Sequence, residues 1–191
     1  PPILARLEAE ISASEDAAKK FELIAERAAY LVRIGNIEQA RLGLADLRRT
    51  CGDGRFPRVS IRMMLAEGLI PYFENLSSAG WDRLRRAVAL SAAMQFHDLS
   101  ALAAAWLAHL DFHRANYESM GAAIEASFQS LDPMNFDAAA RLHLVVADTY
   151  RYVGQRESAD HHYRLAHRAA VCASDQAAIG ALMYNRAAFG L

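Results

Sequence analysis

Apolar residues recur along most of the chain at intervals of three and four residues, the spacing of one face of an α-helix. The pattern breaks at short turns such as Gly35-Asn36 and Gly154, where the residues tolerate the left-handed conformation of a helix C-cap. No alternating apolar and polar run indicates a strand. The periodicity predicts an all-α chain of nine or ten helices, over roughly 2–12, 15–34, 36–50, 57–76, 81–96, 99–114, 117–131, 133–154, 155–173 and 175–190.

Capping residues and prolines sharpen several of these boundaries. Pro57 suits the first turn of a helix, whereas Pro71 lies inside a helical pattern and should kink or interrupt it, because it lacks a backbone donor and clashes with the preceding turn. Side chains that can cap helix starts are expected at Ser12 with Glu15 (or Ser14), at Asp98, at Asp132 ahead of Pro133, and at Ser174 or Asp175.

The stretch 139–170 is the most regular part of the pattern, and weaker copies of it recur along the chain. It predicts two antiparallel helices hinged at Gly154, with Ala147, Ala159 and Ala166 where the backbones approach closely and large residues between them. The residue that opens the core of each second helix recurs every 36 to 44 positions, at Ala40, Leu84, Met120 and Ala159. Such a period is typical of paired-helix arrays, in which each pair covers the apolar face of the next.

This spacing resembles that of the tetratricopeptide-repeat superfamily, in the looser form found in bacterial transcriptional activators and signalling proteins. The resemblance implies helix hairpins stacked in a right-handed superhelix, as one domain over 1–191 with units at 15–51, 56–97, 98–131 and 133–173 and a terminal helix at 175–190. The abrupt ends suggest a piece of a longer protein. The residues that carry the resemblance are Ala28, Leu31, Gly35, Ile37, Ala40, Leu44 and Leu47 in one unit, Ala147, Tyr150, Gly154, Ala159, Tyr163 and Ala166 in another, and Asn185-Arg186-Ala187 near the end.

In the superfamily, the first helix of each pair lines a concave groove that binds a partner. Carried over by position, the resemblance implies a partner-binding groove formed by Arg33, His109, Phe112, His113, Asp148, Arg151, Tyr152 and Tyr184. These side chains combine aromatic, cationic and hydrogen-bonding groups, which suit a peptide. The lysine and asparagine pattern of the superfamily's carboxylate clamp is absent.

Composition and charge narrow the function classes. The 191 residues are 53% hydrophobic and 23% charged, with a formal net charge of −1, so neither disorder nor attraction to nucleic acid or an anionic membrane is expected. No apolar run approaches the length of a membrane span, and no signal peptide is evident, so we expect a cytoplasmic protein. Cys51 and Cys172 match no metal or disulfide pattern and are expected to be reduced.

Candidate catalytic chemistry is sparse. His109 and His113 lie one helical turn apart, which is metal-ligand spacing, but a glutamate and a third ligand are missing, and Asp111 points away from the pair. Groove-lining or surface histidines are therefore the favoured interpretation. His161 and His162 are assigned to the solvated surface. No phosphate-binding loop, nucleophile elbow or Cys/His cluster occurs.

The sequence thus predicts a non-enzymatic scaffold that binds a protein or peptide in its concave face, with no cofactor and no metal. One alternative is a ligand-sensing or regulatory module of a larger bacterial transcription or signalling protein. Another is a metal-dependent enzyme built on His109 and His113. Association into a homo-oligomer through the terminal helix 175–190 is compatible with the first two hypotheses, because an uncapped repeat end leaves apolar surface bare.

Overall fold

A computed structural model describes residues 2–52 and 54–188, and within these ranges the chain is helical and contains no strand. The predicted all-α class is therefore confirmed, and the terminal residues of the helix predicted to reach 190 lie outside the described part. The ten helices of the described chain are α1 (Pro2–Ala13), α2 (Ala17–Arg33), α3 (Ile37–Cys51), α4 (Pro57–Asn75), α5 (Trp81–Ala93), α6 (His97–His113), α7 (Tyr117–Ser130), α8 (Phe136–Tyr152), α9 (Arg156–Cys172) and α10 (Gln176–Ala188), with a short 3-10 helix at Ser78–Gly80 before α5.

A recurring three-residue hinge joins successive helices and gives the chain its repeat-like character. One hinge residue adopts the left-handed conformation, with φ of 81° at Gly35 and 80° at Gly154. The next residue donates its backbone N–H to a carbonyl five positions earlier, as Asn36 does to Leu31 and Gln155 does to Tyr150. This bond is that of a Schellman motif, which satisfies a helix-terminal carbonyl and turns the chain back on itself.

The same hinge occurs without glycine at Gln95, Ala115 and Ser174, where φ lies between 55° and 57°. An L-residue pays a steric cost in this conformation. The surrounding helices therefore impose the hinge geometry even where the sequence lacks the preferred residue.

The described chain divides into two compact units, a first one up to Leu99 and a second one from Ser100 onwards, so the division falls in the first turn of α6. In the first unit α2 packs against α1, α3 and α4, and α4 packs against α3 and α5. Gly68 of α4 and Gly80 approach so closely that a Cβ on Gly80 would overlap the Gly68 carbonyl. These two glycines therefore determine how closely the start of α5 can approach α4.

In the second unit α8 packs against α7, α9 and α10. As predicted, Ala147, Ala159, Ala166 and Tyr163 are completely buried between α8 and α9, in a cluster that Leu144 and Leu182 extend toward α10. A smaller cluster of Ala105, Leu142 and Val146 joins α6 to α8. The apolar stripe of α8 is thus buried on more than one side.

Several predicted boundaries are wrong for identifiable reasons. Helix α8 begins at Phe136 and not at Pro133, because the Asn135 side chain caps it by accepting from the Ala138 N–H at 3.2 Å. Asp132 instead closes a turn by accepting from the Met134 N–H at 2.7 Å. Helix α2 is capped by Asp16, and not by Ser12 or Ser14; its side chain accepts from the Ala18 N–H at 2.8 Å.

Two further expectations about charged and kinking residues are corrected. Helix α4 continues through Pro71 to Asn75, so the proline does not interrupt it. Helix α6 begins at His97, before the residue predicted to cap it; Asp98 lies in its first turn, and its carboxylate accepts a hydrogen bond from Arg58 at 3.0 Å. Asp175 is a cap as predicted, since it accepts from the Ala178 N–H at 3.0 Å.

An ion network also joins helices of the first unit. Glu22, which is nearly buried, accepts hydrogen bonds from Arg58 and Arg62, each at 2.9 Å. Burial alone would raise the pKa of Glu22, but these two guanidinium groups outweigh it and lower the pKa. The carboxylate therefore stays charged, and its desolvation is compensated by well-formed hydrogen bonds.

Both cysteines are free, Cys51 buried and Cys172 exposed. Among the described residues, no helix has the length and apolar character needed to cross a bilayer.

Candidate functional site: the α6/α8 face

The predicted groove residues divide between the two units. Arg33 belongs to the first unit, where it is half-buried and its guanidinium lies 5.7 Å from the ring centre of Tyr30. The remaining seven belong to the second unit, on α6, α8 and α10.

Within the second unit, aromatic rings form a continuous row from α6 to the end of α8. Trp106 contacts His109 with ring centres 5.7 Å apart, and His109 contacts His113 at 4.7 Å. Phe112 then contacts His113 at 5.8 Å and Tyr152 at 6.0 Å, all in edge-to-face geometry. Tyr117 closes the row 5.8 Å from Tyr152. We call this row, together with Arg141 and Asp148 beside it, the α6/α8 face.

The buried end of the α6/α8 face is built on Trp106. The Arg141 guanidinium lies 3.6 Å from the centre of the indole ring, which is close cation–π stacking. Arg141 is only 7% exposed, as is His109. The guanidinium charge of Arg141 is therefore largely desolvated and in contact with the indole ring of Trp106.

Asp148 supplies a negative charge in the same region and is itself 6% exposed. It accepts a hydrogen bond from the Tyr163 hydroxyl at 2.6 Å, and the Asn185 amide donates to its two oxygens at 3.0 and 3.2 Å. Burial raises the pKa of Asp148, although these hydrogen bonds and the charges of Arg151 and Arg141 oppose the rise. The carboxylate thus ties α8 to α9 and α10, and most of its surface is unavailable to a partner.

The two histidines of the face are held in the neutral form. Burial lowers the pKa of His109 well below its usual range, and the charges of Arg141 and His113 act in the same direction. Partial desolvation of the ring also lowers the pKa of His113. The negative charge of Asp148 opposes this change, and the positive charge of Arg141 adds to it. Each neutral imidazole offers one donor and one acceptor.

Exposure increases along the row. Phe112 is half-buried, whereas Tyr152 is 66% exposed and Tyr117 is 44% exposed. Tyr184, on α10, is 73% exposed and precedes the asparagine that binds Asp148. Arg151 is half-buried on the turn of α8 before Tyr152. The face therefore offers a solvent-accessible aromatic end and a buried polar end.

Four participants were not among the predicted groove residues: Trp106, Tyr117, Arg141 and Asn185. Trp106 is a core residue, only 4% exposed, yet the Arg141 guanidinium stacks on its ring. Arg141 could have been predicted from the helical period. It precedes Asp148 by seven residues, which is two turns, so both residues lie on the same side of the helix. Asn185 entered only through a repeat motif, and its contact with α8 depends on tertiary structure.

His109 and His113 have no third side chain with which to coordinate a metal ion. Among the described residues, no three His, Cys, Asp or Glu side chains are grouped so that they could hold one. Asp111 is buried and accepts from the Ser119 hydroxyl at 2.7 Å. The assignment of His162 to the solvated surface is corrected, because its ring is half-buried and stacks on Tyr150 with ring centres 5.5 Å apart.

Comparisons of the chain with protein-family models, with curated proteins and with solved structures gave no match. Function is therefore inferred from the geometry of the chain's own side chains.

Proposed function

We propose that the second unit binds an extended peptide, or an unfolded segment of a protein, along the α6/α8 face, as part of a scaffold without enzymatic activity. The finer fold assignment, a tetratricopeptide-like array of hairpins in a right-handed superhelix, is also a proposal. Its support is the recurring unit of helix, left-handed hinge and helix.

The observation that carries the proposal is the exposed aromatic end of the row. Tyr152 contacts both Phe112 and Tyr117, yet most of its own surface faces solvent. Contiguous exposed aromatic surface is typical of interaction sites, because Tyr and Trp provide much of the binding energy at protein interfaces. The edge-to-face contacts hold Phe112 and Tyr152 in place, so that little side-chain entropy is lost when a partner packs against them.

The chemistry of the buried end favours a peptide over a highly charged ligand. Arg141 and Asp148 carry opposite charges that interact with each other, and the two histidines are neutral. The face therefore has little net charge. The donors and acceptors that a partner can reach beside the aromatic surface are the exposed imidazole of His113 and the hydroxyl groups of Tyr117 and Tyr152. A peptide backbone, which has one donor and one acceptor per residue, matches such a surface.

The proposal is tested with a display library of random peptides, selected on the immobilised chain. The affinity of an enriched peptide is then measured by fluorescence anisotropy for the wild type and for Phe112→Ala, Tyr152→Ala and the double variant Arg151→Ala with Tyr152→Ala. We expect each variant to lose about tenfold or more in affinity, because truncation of an aromatic anchor typically costs more than 1 kcal/mol.

The matched control is Leu42→Ala in the first unit, since Leu42 is as exposed as Tyr152, at 67%. It should bind the peptide like the wild type. Thermal melting of each variant separates loss of binding from loss of folding. Failure to enrich any peptide, or equal affinity in the Tyr152 variants and the wild type, would contradict the assignment of the face.

A further inference from the structure

A second group of aromatic and imidazole rings lies between α8 and α9 and does not belong to the α6/α8 face. His143 of α8 and His162 of α9 approach until their Nδ1 atoms are 3.0 Å apart. The ring of Phe128 packs against His143 with centres 5.8 Å apart, and Tyr150 stacks on His162. The two imidazoles therefore face each other between aromatic rings that restrict their rotation.

We propose that His143 and His162 form a two-histidine site that binds a divalent transition-metal ion through their Nδ1 atoms. The inference is independent of peptide binding, because it uses other residues and another side of α8.

The separation of the two nitrogens fits a shared metal ion. Imidazole nitrogens bind zinc at about 2.0–2.1 Å, so two ligands at right or tetrahedral angles lie about 2.9–3.4 Å apart. The observed 3.0 Å is within this range. A zinc ion at these bond lengths reaches both Nδ1 atoms from a position beside the line that joins them.

The protonation state of the pair also suits a metal. Burial, together with the neighbouring His162 and His161, lowers the pKa of His143 to about 4. Burial and His161 lower the pKa of His162 as well. Both rings are therefore neutral near neutral pH, which is the form that binds metals. When the ion binds, the proton on one Nδ1 moves to Nε2 of the same ring, so no net proton is released.

The ligand set indicates which class of cation binds. Two imidazoles favour zinc, nickel or copper over magnesium or calcium, which prefer oxygen ligands. No third His, Cys, Asp or Glu side chain joins the pair among the described residues. Water therefore completes the coordination shell, and the bound ion is exchangeable.

The simplest alternative is an N–H···N hydrogen bond between two neutral rings with no affinity for metal. Titration calorimetry of the untagged chain with Zn²⁺, after treatment with EDTA and dialysis, distinguishes the two. We expect saturation at one equivalent, with a loss of about tenfold or more in His143→Asn and in His162→Asn. The control is His167→Asn, an exposed histidine of the same helix, which should bind zinc like the wild type.

NMR of the wild type keeps the test decisive even if a variant fails to fold. On addition of Zn²⁺, the side-chain nitrogen resonances of His143 and His162 should shift together, ahead of those of the other five histidines. Absence of saturable binding, or equal binding in both pair variants and the control, would overturn the site.

Discussion

At the scale of single residues, Asp148 shows how one side chain can serve both the fold and a site. Its carboxylate receives hydrogen bonds from Tyr163 of α9 and Asn185 of α10, so it joins three helices. A buried acid without such partners would be strongly destabilising. Its charge also acts on His113, which belongs to the solvent-accessible part of the α6/α8 face. The polar interior of the second unit and the face proposed to bind a peptide are therefore electrostatically connected.

The left-handed hinges give a prediction at the same scale. Gln95 and Ala115 have φ of 57° and 55°, a conformation that glycine adopts without steric cost. We expect Gln95→Gly and Ala115→Gly each to raise the free energy of unfolding by about 0.5–1 kcal/mol, because the relief of strain exceeds the added entropy of the unfolded chain. Urea denaturation measures the change.

The matched control for the hinges is Gly154→Ala, where φ is 80° and an added Cβ would have no neighbour within 4 Å. Any loss of stability there comes from the backbone conformation alone, and we expect about 1 kcal/mol. If the glycine variants of Gln95 and Ala115 were less stable than the wild type, the hinges would not be strained.

At the scale of helices, the contact between α4 and the start of α5 depends on two glycines. A Cβ on Gly80 would overlap the carbonyl of Gly68, and a Cβ on Gly68 would crowd the Leu84 side chain at 2.9 Å. We expect Gly80→Ala to lower the free energy of unfolding by about 2–3 kcal/mol, because the backbones must separate to admit the methyl group. Circular dichroism during denaturation provides the measurement.

Gly43 of α3 and Gly121 of α7 serve as controls for this contact. Both lie inside helices, and an added Cβ at either position would meet nothing within 4 Å. Alanine at these positions should stabilise the chain by about 0.5–1 kcal/mol, since glycine is a poor helix former. A similar small gain in Gly80→Ala would show that the approach of α4 to α5 is not tight.

Helix boundaries show what could be predicted from the sequence and what could not. The period of the apolar residues locates the helices well, because each helix buries one face. The hinge glycines mark where two of these helices end. The start of α8 was missed because Asp132 and Asn135 are both good caps, and the choice between them depends on tertiary packing. Pro71 failed to end α4 because Leu69 and Ile70 are buried beside it, and this burial offsets the lost backbone hydrogen bond.

At the scale of the whole molecule, the sequence likewise predicts contacts within one helix better than contacts between helices. Helical spacing placed His109, Phe112 and His113 near one another, since they are one turn apart. Contacts between helices, such as Phe112 with Tyr152 and His143 with His162, needed the packed structure. The adjacency of His161 and His162 suggested a surface pair, whereas packing turns His162 toward α8. Arg33 is the one predicted groove residue that belongs to the first unit. Other charged residues of that unit form the ion network around Glu22.

The histidines of the second unit also predict how the stability of the chain depends on pH. The pKa values of His109, His113, His143 and His162 are all lowered in the folded state. Below the unfolded value of about 6.5, the unfolded chain therefore binds more protons than the folded chain, and acidification favours unfolding. Asp148 acts in the opposite direction, because its raised pKa makes the folded chain bind the proton more readily. Glu22 and Asp98, whose pKa values are also lowered in the folded state, act in the same direction as the histidines, so we expect a net loss of stability in acid.

We expect His143, whose pKa falls from 6.5 to about 4, to account for a measurable part of this loss. After allowance for partial exposure of the ring, its share between about pH 7 and pH 5 is about 1–2 kcal/mol. Urea denaturation at both pH values, with EDTA present, should therefore show a smaller pH dependence in His143→Gln than in the wild type. His167→Gln should retain the full dependence. If His143→Gln kept the wild-type dependence, the imidazole of His143 would titrate normally in the folded chain, and aromatic packing by Phe128 would not be sufficient to keep it neutral.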